Sequence, residues 1–298
     1  MGSERSRILV LGASGQVGRE LLRTLAPLGE VVAASLEADC GLRLDLSQPD
    51  TLAPLLDQVK PRVLVNAAAY TAVDRAEAEP QLAQLVNGAA VAELGRLAAQ
   101  QGLALIHYST DFVYSGDGQR PYREEDPTGP LNVYGASKLA GDQALLGSGA
   151  AALIFRTSWV YGTHGHNFLR TMLRLFRERD EVRVVDDQIG SPTWSRLIAE
   201  VTAQVLGRVL AGNLDPAQAR GVYHLSGGGQ TSWHGFARAI LDQSGLTCRL
   251  VPILTQDYPT PARRPPYSVL DNSKLATDWG LALPDWRQSL AQCLADLA

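Results

Sequence analysis

Residues 7–18 constrain this chain more than any other stretch. Arg7–Leu11 (RILVL) is an apolar run that stops at glycine, the pattern of a strand buried on both faces. It leads straight into Gly12-Ala13-Ser14-Gly15-Gln16-Val17-Gly18, and a helical pattern follows over 20–28. In a strand–turn–helix unit, the first glycine permits the tight turn and the second lets a pyrophosphate approach the backbone. The third lets the helix pack closely on the strand. The free N–H groups of the helix start then face the phosphates. Gly12, Ser14, Gly15, Gln16, Val17 and Gly18 are therefore candidate dinucleotide contacts, against the plainer reading of a structural turn.

The chain repeats this rhythm. A strand over 30–34 (EVVAA) ends at Ser35-Leu36-Glu37, where neither a carboxylate nor an arginine terminates the strand, so NADPH and NADH both remain open. Leu44-Asp45-Leu46 reads as a short strand with Asp45 and Leu46 at an adenine edge, or with Asp45 as a helix cap. A strand over 62–66 is followed by Ala67, Ala68 and Ala69, small enough for a flat cofactor to lie on the backbone. A long helical region runs from Val73 to about Gln101, with Asn87 either a site residue or a core amide. The next strand, 104–107, ends in Tyr108-Ser109-Thr110-Asp111, hydroxyls at the edge where open α/β sheets bind ligands. A polar loop over 115–130 and a strand over 152–156 complete the series. Alternating strands and helices imply right-handed crossovers and a doubly wound parallel sheet.

Tyr134-Gly135-Ala136-Ser137-Lys138 puts a phenol and an ammonium on one helix face, one turn apart. A neighbouring cation favours an ionised phenol, so the pair is a candidate proton donor, Tyr134, tuned by Lys138. With nine tyrosines and three lysines in 298 residues, such a pairing arises by chance about one time in ten. The spacing alone thus fits an amphipathic helix with a snorkelling lysine equally well.

Beyond Thr163 the rhythm loosens. Helices are expected over 168–178, 195–210, 233–244 and after Trp286, with short strands over 182–185 and 222–225. The implied organisation is a dinucleotide-binding domain over 1–162, with 195–225 packing back on its sheet. A smaller C-terminal substrate-binding lobe comes from 163–194 and 226–298. His164-x-His166 lacks further ligands at metal spacing, and Asp186 and Asp187, as strand neighbours, face opposite ways. No Gly-x-Ser-x-Gly frames a nucleophile. Arg263-Arg264 is either a diphosphate grip or an exposed turn.

A net charge of -4 argues against nucleic-acid or anionic-membrane binding. Cys40, Cys248 and Cys293 are odd in number and far apart, which suits a reducing compartment. No apolar run has the length of a leader or a membrane span, so the expectation is a cytoplasmic protein.

The glycine turn, Tyr134-x-x-x-Lys138 and the upstream hydroxyl together resemble the extended short-chain dehydrogenase/reductase family. Within it, the blocks GASGQVGREL, VNAAAYTAVDRAE, HYSTDFVYSG, YGASKLAGD, RTSWVYG, HNFLRTML, DDQIGSPT and RRPPYSVLDNSKL are similar to reductases of dTDP-linked 4-keto-6-deoxysugars. The resemblance implies a Rossmann-type fold, NADPH or NADH as hydride source, and a nucleotide-sugar substrate. It implies that Tyr134 protonates the carbonyl oxygen and that Lys138 lowers the phenol's pKa and bonds the nicotinamide ribose. Thr110 hydrogen-bonds the same oxygen. Asp111 and Trp159 line the sugar pocket, and Asn167 is a further substrate contact. Some relatives form homodimers through carboxylates around a divalent metal such as magnesium. Here Glu20 fits that role, but Arg196 stands where a second acid is expected. A nucleotide-sugar epimerase or dehydratase, and a regulatory subunit like that of methionine adenosyltransferase, share these motifs.

Overall fold

The computed structural model describes residues 6–37, 41–212 and 220–297; Cys40 lies outside them. The first half runs β1 (Arg7–Leu11), α1 (Gln16–Leu25), β2 (Glu30–Ser35), β3 (Leu42–Arg43), α2 (Leu52–Val59) and β4 (Val63–Asn66). Then come α3 (Val73–Ala76), α4 (Pro80–Gln84), α5 (Ala90–Gln101), β5 (Ala104–Thr110), α6 (Val133–Gly147) and β6 (Ala151–Thr157). The second half runs β7 (Val160–Tyr161), α7 (Phe168–Glu178), β8 (Glu181–Val185), β9 (Ile189–Gly190), β10 (Thr193–Trp194) and α8 (Ser195–Leu210). It ends with β11 (Gly221–His224), β12 (Thr231–Ser232), α9 (Trp233–Ser244), β13 (Arg249–Ile253), α10 (Ser273–Trp279) and α11 (Trp286–Ala295).

Seven strands form one sheet in the order β11-β6-β5-β4-β1-β2-β3, with parallel pairing throughout. The strand order reverses between β1 and β4, which opens a crevice beyond their carboxyl ends. Alternate residues of each strand enter different cores. Ile8, Val10, Val63 and Phe155 pack under Leu21 and Leu25 of α1, Ile198 and Val205 of α8, and Leu275 of α10. Leu9, Leu11, Leu64 and Ile154 face Leu56 of α2, Leu94 of α5 and Leu145 of α6. Burial on both faces is why these strands read as unbroken apolar runs. A third core joins α7, α9 and α11 through Leu169, Met172, Phe236, Ile240 and Leu290.

Several boundaries differ from expectation. Helix α1 starts at Gln16 rather than Glu20 and ends at Leu25, so Gly18 lies inside its first turn. The expected long helix over 73–101 is three shorter ones. Pro80 opens α4, and a π-helical turn over Leu85–Ala89 joins it to α5. The short strand near Asp45 is instead Leu42–Arg43. Strand β5 continues through Tyr108-Ser109-Thr110, so those hydroxyls belong to the strand itself. Strand β13 and helix α10 carry no pattern that distinguished them from irregular chain.

A buried polar chain ties α6 to the sheet. Arg156 of β6 pairs with Asp142 of α6 at 3.1 Å, with almost no side-chain exposure on either residue. Asp142 also accepts from Ser109 Oγ at 2.9 Å. Arg156 donates to the Tyr114 hydroxyl at 2.9 Å, and that hydroxyl meets His224 Nε2 at 2.8 Å. Removing one partner of a buried pair strands the other charge. Arg156→Met is therefore expected to destabilise the fold by about 3–5 kcal/mol, read as a lowered urea midpoint with an unchanged slope.

Candidate functional site

The three glycines of the first turn occupy distinct environments. Gly12 has φ +76°, and a Cβ there would stand 2.6 Å from the Ala68 backbone nitrogen. A Cβ on Gly18 would stand 2.0 Å from the Gly12 carbonyl oxygen, so α1 packs on β1 at van der Waals limits. Around Gly15 only that same oxygen lies near, at 3.2 Å, and the remaining space is open. Gly15 precedes α1 without a capping side chain, leaving helix N–H groups free to face an anion. Ala67, Ala68 and Ala69 follow β4 next to this turn and are half-exposed, with Ala67 N–H donating to the Leu11 carbonyl at 2.9 Å. This edge fits a dinucleotide: an open cradle at Gly15, free amide donors and a floor of small side chains.

Other expected cofactor contacts fare differently. Asp45 accepts from Ser47 N at 2.9 Å, a local turn contact following β3, with Leu46 buried behind it. Gln16 accepts from Asn167 Nδ2 at 3.0 Å and so links the glycine turn to the start of α7. Pairing between β2 and β3 places Arg43 beside Ser35 at the end of β2. That cation is invisible in local spacing, because only strand pairing brings it there.

Asn87 is a clamp. Its amide nitrogen donates to the Tyr70 carbonyl and to Ser137 Oγ, each at 3.0 Å, and its oxygen accepts from Tyr70 N at 2.9 Å. Both its amide hydrogens and one oxygen lone pair hold the segment after β4 to α6, the contacts of a core amide.

Tyr134 and Lys138 share α6, whose first turn is capped by Asn132 accepting from Gly135 N at 2.8 Å. Tyr134 lies next to Thr110 and Asp111, and its ring meets Phe112 edge-on at 5.8 Å. Lys138 is 2% exposed. Its Nζ donates to the Tyr108 carbonyl at 2.7 Å and lies 3.2 Å from His107 Nε2. The expected lowering of the phenol's pKa by this lysine is absent in this arrangement. Burial pushes Tyr134 up to about 12, the Asp111 and Asp142 carboxylates add to the rise, and Thr110 opposes it. Burial also brings Lys138 down to about 8, against the pull of Asp142. A phenol at about 12 is fully protonated at neutral pH, a loaded donor.

Asp111 sits beside this group. Thr110 Oγ1 and Ser158 Oγ each donate to it at 3.1 Å, with Ser268 a further partner, while burial raises it to about 6. A cavity of about 660 Å³ opens from Phe112 and Ser268 and is walled by Trp159, Phe168, Trp233 and Arg264. Trp159 holds φ +45° and stacks on Trp233 with ring centres 3.5 Å apart. Gly190 makes room for it, since a Cβ there would meet the indole at 2.4 Å. Asn167 is outside this cavity. Its oxygen caps α7 by accepting from Arg170 N at 3.1 Å, and its nitrogen also serves Gly162 and His164 carbonyls.

The remaining candidates have partners within the chain. Arg264 grips Asp74 with both terminal nitrogens, at 3.0 and 2.8 Å. Asp186 accepts from Ser232 Oγ and Asp187 from Thr255 N, so the two acids serve different neighbours. Glu20 is 5% exposed and held by Arg23 and Arg196, each at 3.3 Å; Arg196 also reaches Asp296. These ion pairs do not fit a divalent metal at Glu20, and among the described residues no three His, Cys, Asp or Glu side chains form a metal cluster.

A switch-point crevice with a glycine cradle on one side and a Tyr–Lys pair on the other is the architecture of the extended short-chain dehydrogenase/reductases. A family model described as the RmlD substrate binding domain matches residues 6–298. A dTDP-4-dehydrorhamnose reductase of Burkholderia thailandensis is 49% identical, over 98% of this chain and 99% of that one. The crystal structure of a dTDP-4-dehydrorhamnose reductase from Clostridium acetobutylicum superposes with a TM-score of 0.89 at 34% identity, covering 98% of this chain and 99% of its own. That of the Bacillus anthracis enzyme in complex with NADP gives 0.88 at 32% identity, covering 98% and 99%. The chain belongs to the RmlD substrate-binding domain family.

The open space at Gly15 sets a direct test of the cradle. Gly15→Ala is expected to unfold within about 1 kcal/mol of the parent yet to bind NADP(H) at least about tenfold more weakly. Thermal melts and a nucleotide fluorescence titration read the two effects separately.

Proposed function

We propose that this chain reduces the 4-keto group of dTDP-4-dehydro-L-rhamnose to give dTDP-L-rhamnose. The observation that carries the reading is that Tyr134 and Lys138, one turn apart on α6, stand against the carboxyl end of β5 where Thr110 and Asp111 lie, in the same sheet-edge crevice as the glycine turn. A reduced nicotinamide dinucleotide, held by Gly12, Ser14, Gly15, the α1 N-terminus and the Ala67–Ala69 strip, supplies the hydride. Tyr134 gives its proton to the carbonyl oxygen as negative charge develops there, and Thr110, whose hydroxyl donates to Asp111 in this arrangement, turns that donor to the same oxygen. Lys138 bonds the cofactor ribose. Asp111, held by Thr110, Ser158 and Ser268, offers an acceptor to sugar hydroxyls. The Trp159–Trp233 stack presents an apolar wall to the sugar or its base.

The reading gives residues 1–162, with 195–225, to the dinucleotide, and 163–194 with 226–298 to the nucleotide sugar. Its support is the cavity, whose walls come from Phe112 and Trp159 on one side and Phe168, Trp233 and Arg264 on the other. A homodimer joined through a metal at Glu20 is not part of the reading. A cytoplasmic setting suits the unpaired Cys248 and Cys293, and no helix of the described residues is long and apolar enough to cross a membrane.

Stoichiometric NAD(P)H oxidation with dTDP-4-dehydro-L-rhamnose tests the reaction. Turnover without net oxidation points to an epimerase or dehydratase, and no turnover to a binding subunit. Tyr134→Phe is expected to lose about 10²–10⁴-fold in kcat while dinucleotide affinity is kept; near-normal turnover sinks the assignment. Arg43→Gln is expected to raise KM for NADPH several-fold with little change for NADH, since only the former carries a 2′-phosphate. Equal effects on both would remove Arg43 from the cofactor site.

A further inference from the structure

The proton accounting around Lys138 does not close with an ammonium. Ala68 N–H donates to Asn66 Oδ1 at 3.1 Å, which fixes the orientation of the Asn66 amide. Its Nδ2, 3.1 Å from His107 Nδ1, can only donate. His107 Nδ1 must therefore present its lone pair. The ring is solvent-free, and burial holds it well below its ordinary pKa, so it is neutral. Its single proton then lies on Nε2, facing Lys138 Nζ at 3.2 Å. An ammonium has no lone pair to receive it; an amine does, while still donating to the Tyr108 carbonyl. Turning the Asn66 amide over only moves the clash of donors to Ala68.

We infer that His107 is a positioning residue for Lys138. With its proton fixed on Nε2 by Asn66, it accepts the lysine in this parked position only as the amine, and protonation of Lys138 releases Nζ from the ring. The charged form is the one that can act on a phenol or a ribose hydroxyl, so the inference rests on the reductase reading for its consequence in turnover. The other ionisable groups near Nζ are Tyr134 and Asp142 on α6, with Asp111 beyond Tyr134 and Arg156 bound to Asp142. Of these, Asp142 favours the ammonium, and burial opposes it. Asn66 also supports the backbone of the Ala67–Ala69 strip, so cofactor floor and lysine share one anchor.

The chain's five histidines and three lysines make this directly measurable. Long-range ¹⁵N–¹H spectra of the wild-type protein should show one non-titrating neutral histidine of the Nε2–H form, missing in His107→Gln. An Nδ1–H tautomer for that residue overturns the inference. In ¹³Cε-lysine spectra, the resonance lost in Lys138→Arg should titrate near pH 8 in the wild type. In His107→Gln, whose amide oxygen can accept from an ammonium, its midpoint should rise by at least about one unit. An unmoved midpoint likewise overturns it. His107→Asn, too short to reach Nζ, serves as the second variant, and the wild-type tautomer stands if neither variant folds. The alkaline limb of kcat/KM should move with the lysine midpoint. If the spectra behave as stated and no reductase turnover exists at any pH, the reductase reading fails and the positioning of Lys138 survives.

Discussion

Burying a lysine amine between a parallel sheet and a helix is the constraint around which this molecule is arranged. An isolated ammonium in such a place costs several kcal/mol, and the structure answers with a contiguous polar layer. Tyr108 turns its carbonyl, His107 its ring, and Asp142 its field toward Lys138. Asp142 in turn needs Arg156 and Ser109, Arg156 needs Tyr114, and Tyr114 meets His224 on the edge strand β11. His224 Nδ1 reaches the Asp271 carbonyl, close to α10. The group beside Tyr134 is thereby tied through side-chain contacts to the C-terminal segment. A change to any member is felt along the layer, because each buried group satisfies the next.

The second determinant is close approach of backbone to backbone. Gly12 against Ala68, Gly18 against the Gly12 carbonyl, and Gly141 against the Asn87 carbonyl bring β1, α1, β4 and α6 nearer than any side chain allows. The carboxyl edge becomes a shallow floor bordered by hydroxyls. Gly190 does the same for the opposite wall, where it lets Trp159 lie flat on Trp233 in a backbone conformation seldom adopted by a bulky residue.

Much of this was legible in the chain, for reasons that are local. Apolar runs ending in glycine, hydroxyls or small residues mark β1, β4, β5 and β6, since strands covered on both faces need no polar alternation. Helices α7, α8 and α9 agreed with their periodicity, since each buries one face. Apolar spacing predicts one helix over 73–101 because it carries through Pro80 and the π turn, whereas the helical hydrogen bonding does not. Asp45, open between an adenine contact and a helix cap, accepts from Ser47 N, while Asn167, expected at the substrate, caps α7 and bonds Gln16; Asn and Asp share such local roles with binding ones. Arg264 was read as a diphosphate grip or an exposed turn, and in fact bridges to Asp74, which lies far away in sequence.

The sequence by itself determined the fold class, the glycine cradle, and the placement of Tyr134 and Lys138 on one face of one helix. These follow from periodicity and steric allowance, which act over a few residues. Tertiary structure alone decided where the lysine points, that the phenol sits high rather than low, that His107 stands against Lys138 with Asn66 behind it, and that Arg43 stands beside Ser35. Each of these depends on which strand lies next to which. Solvent exclusion and proton placement are properties of the assembled neighbourhood, and neighbouring strands here come from opposite ends of a crossover.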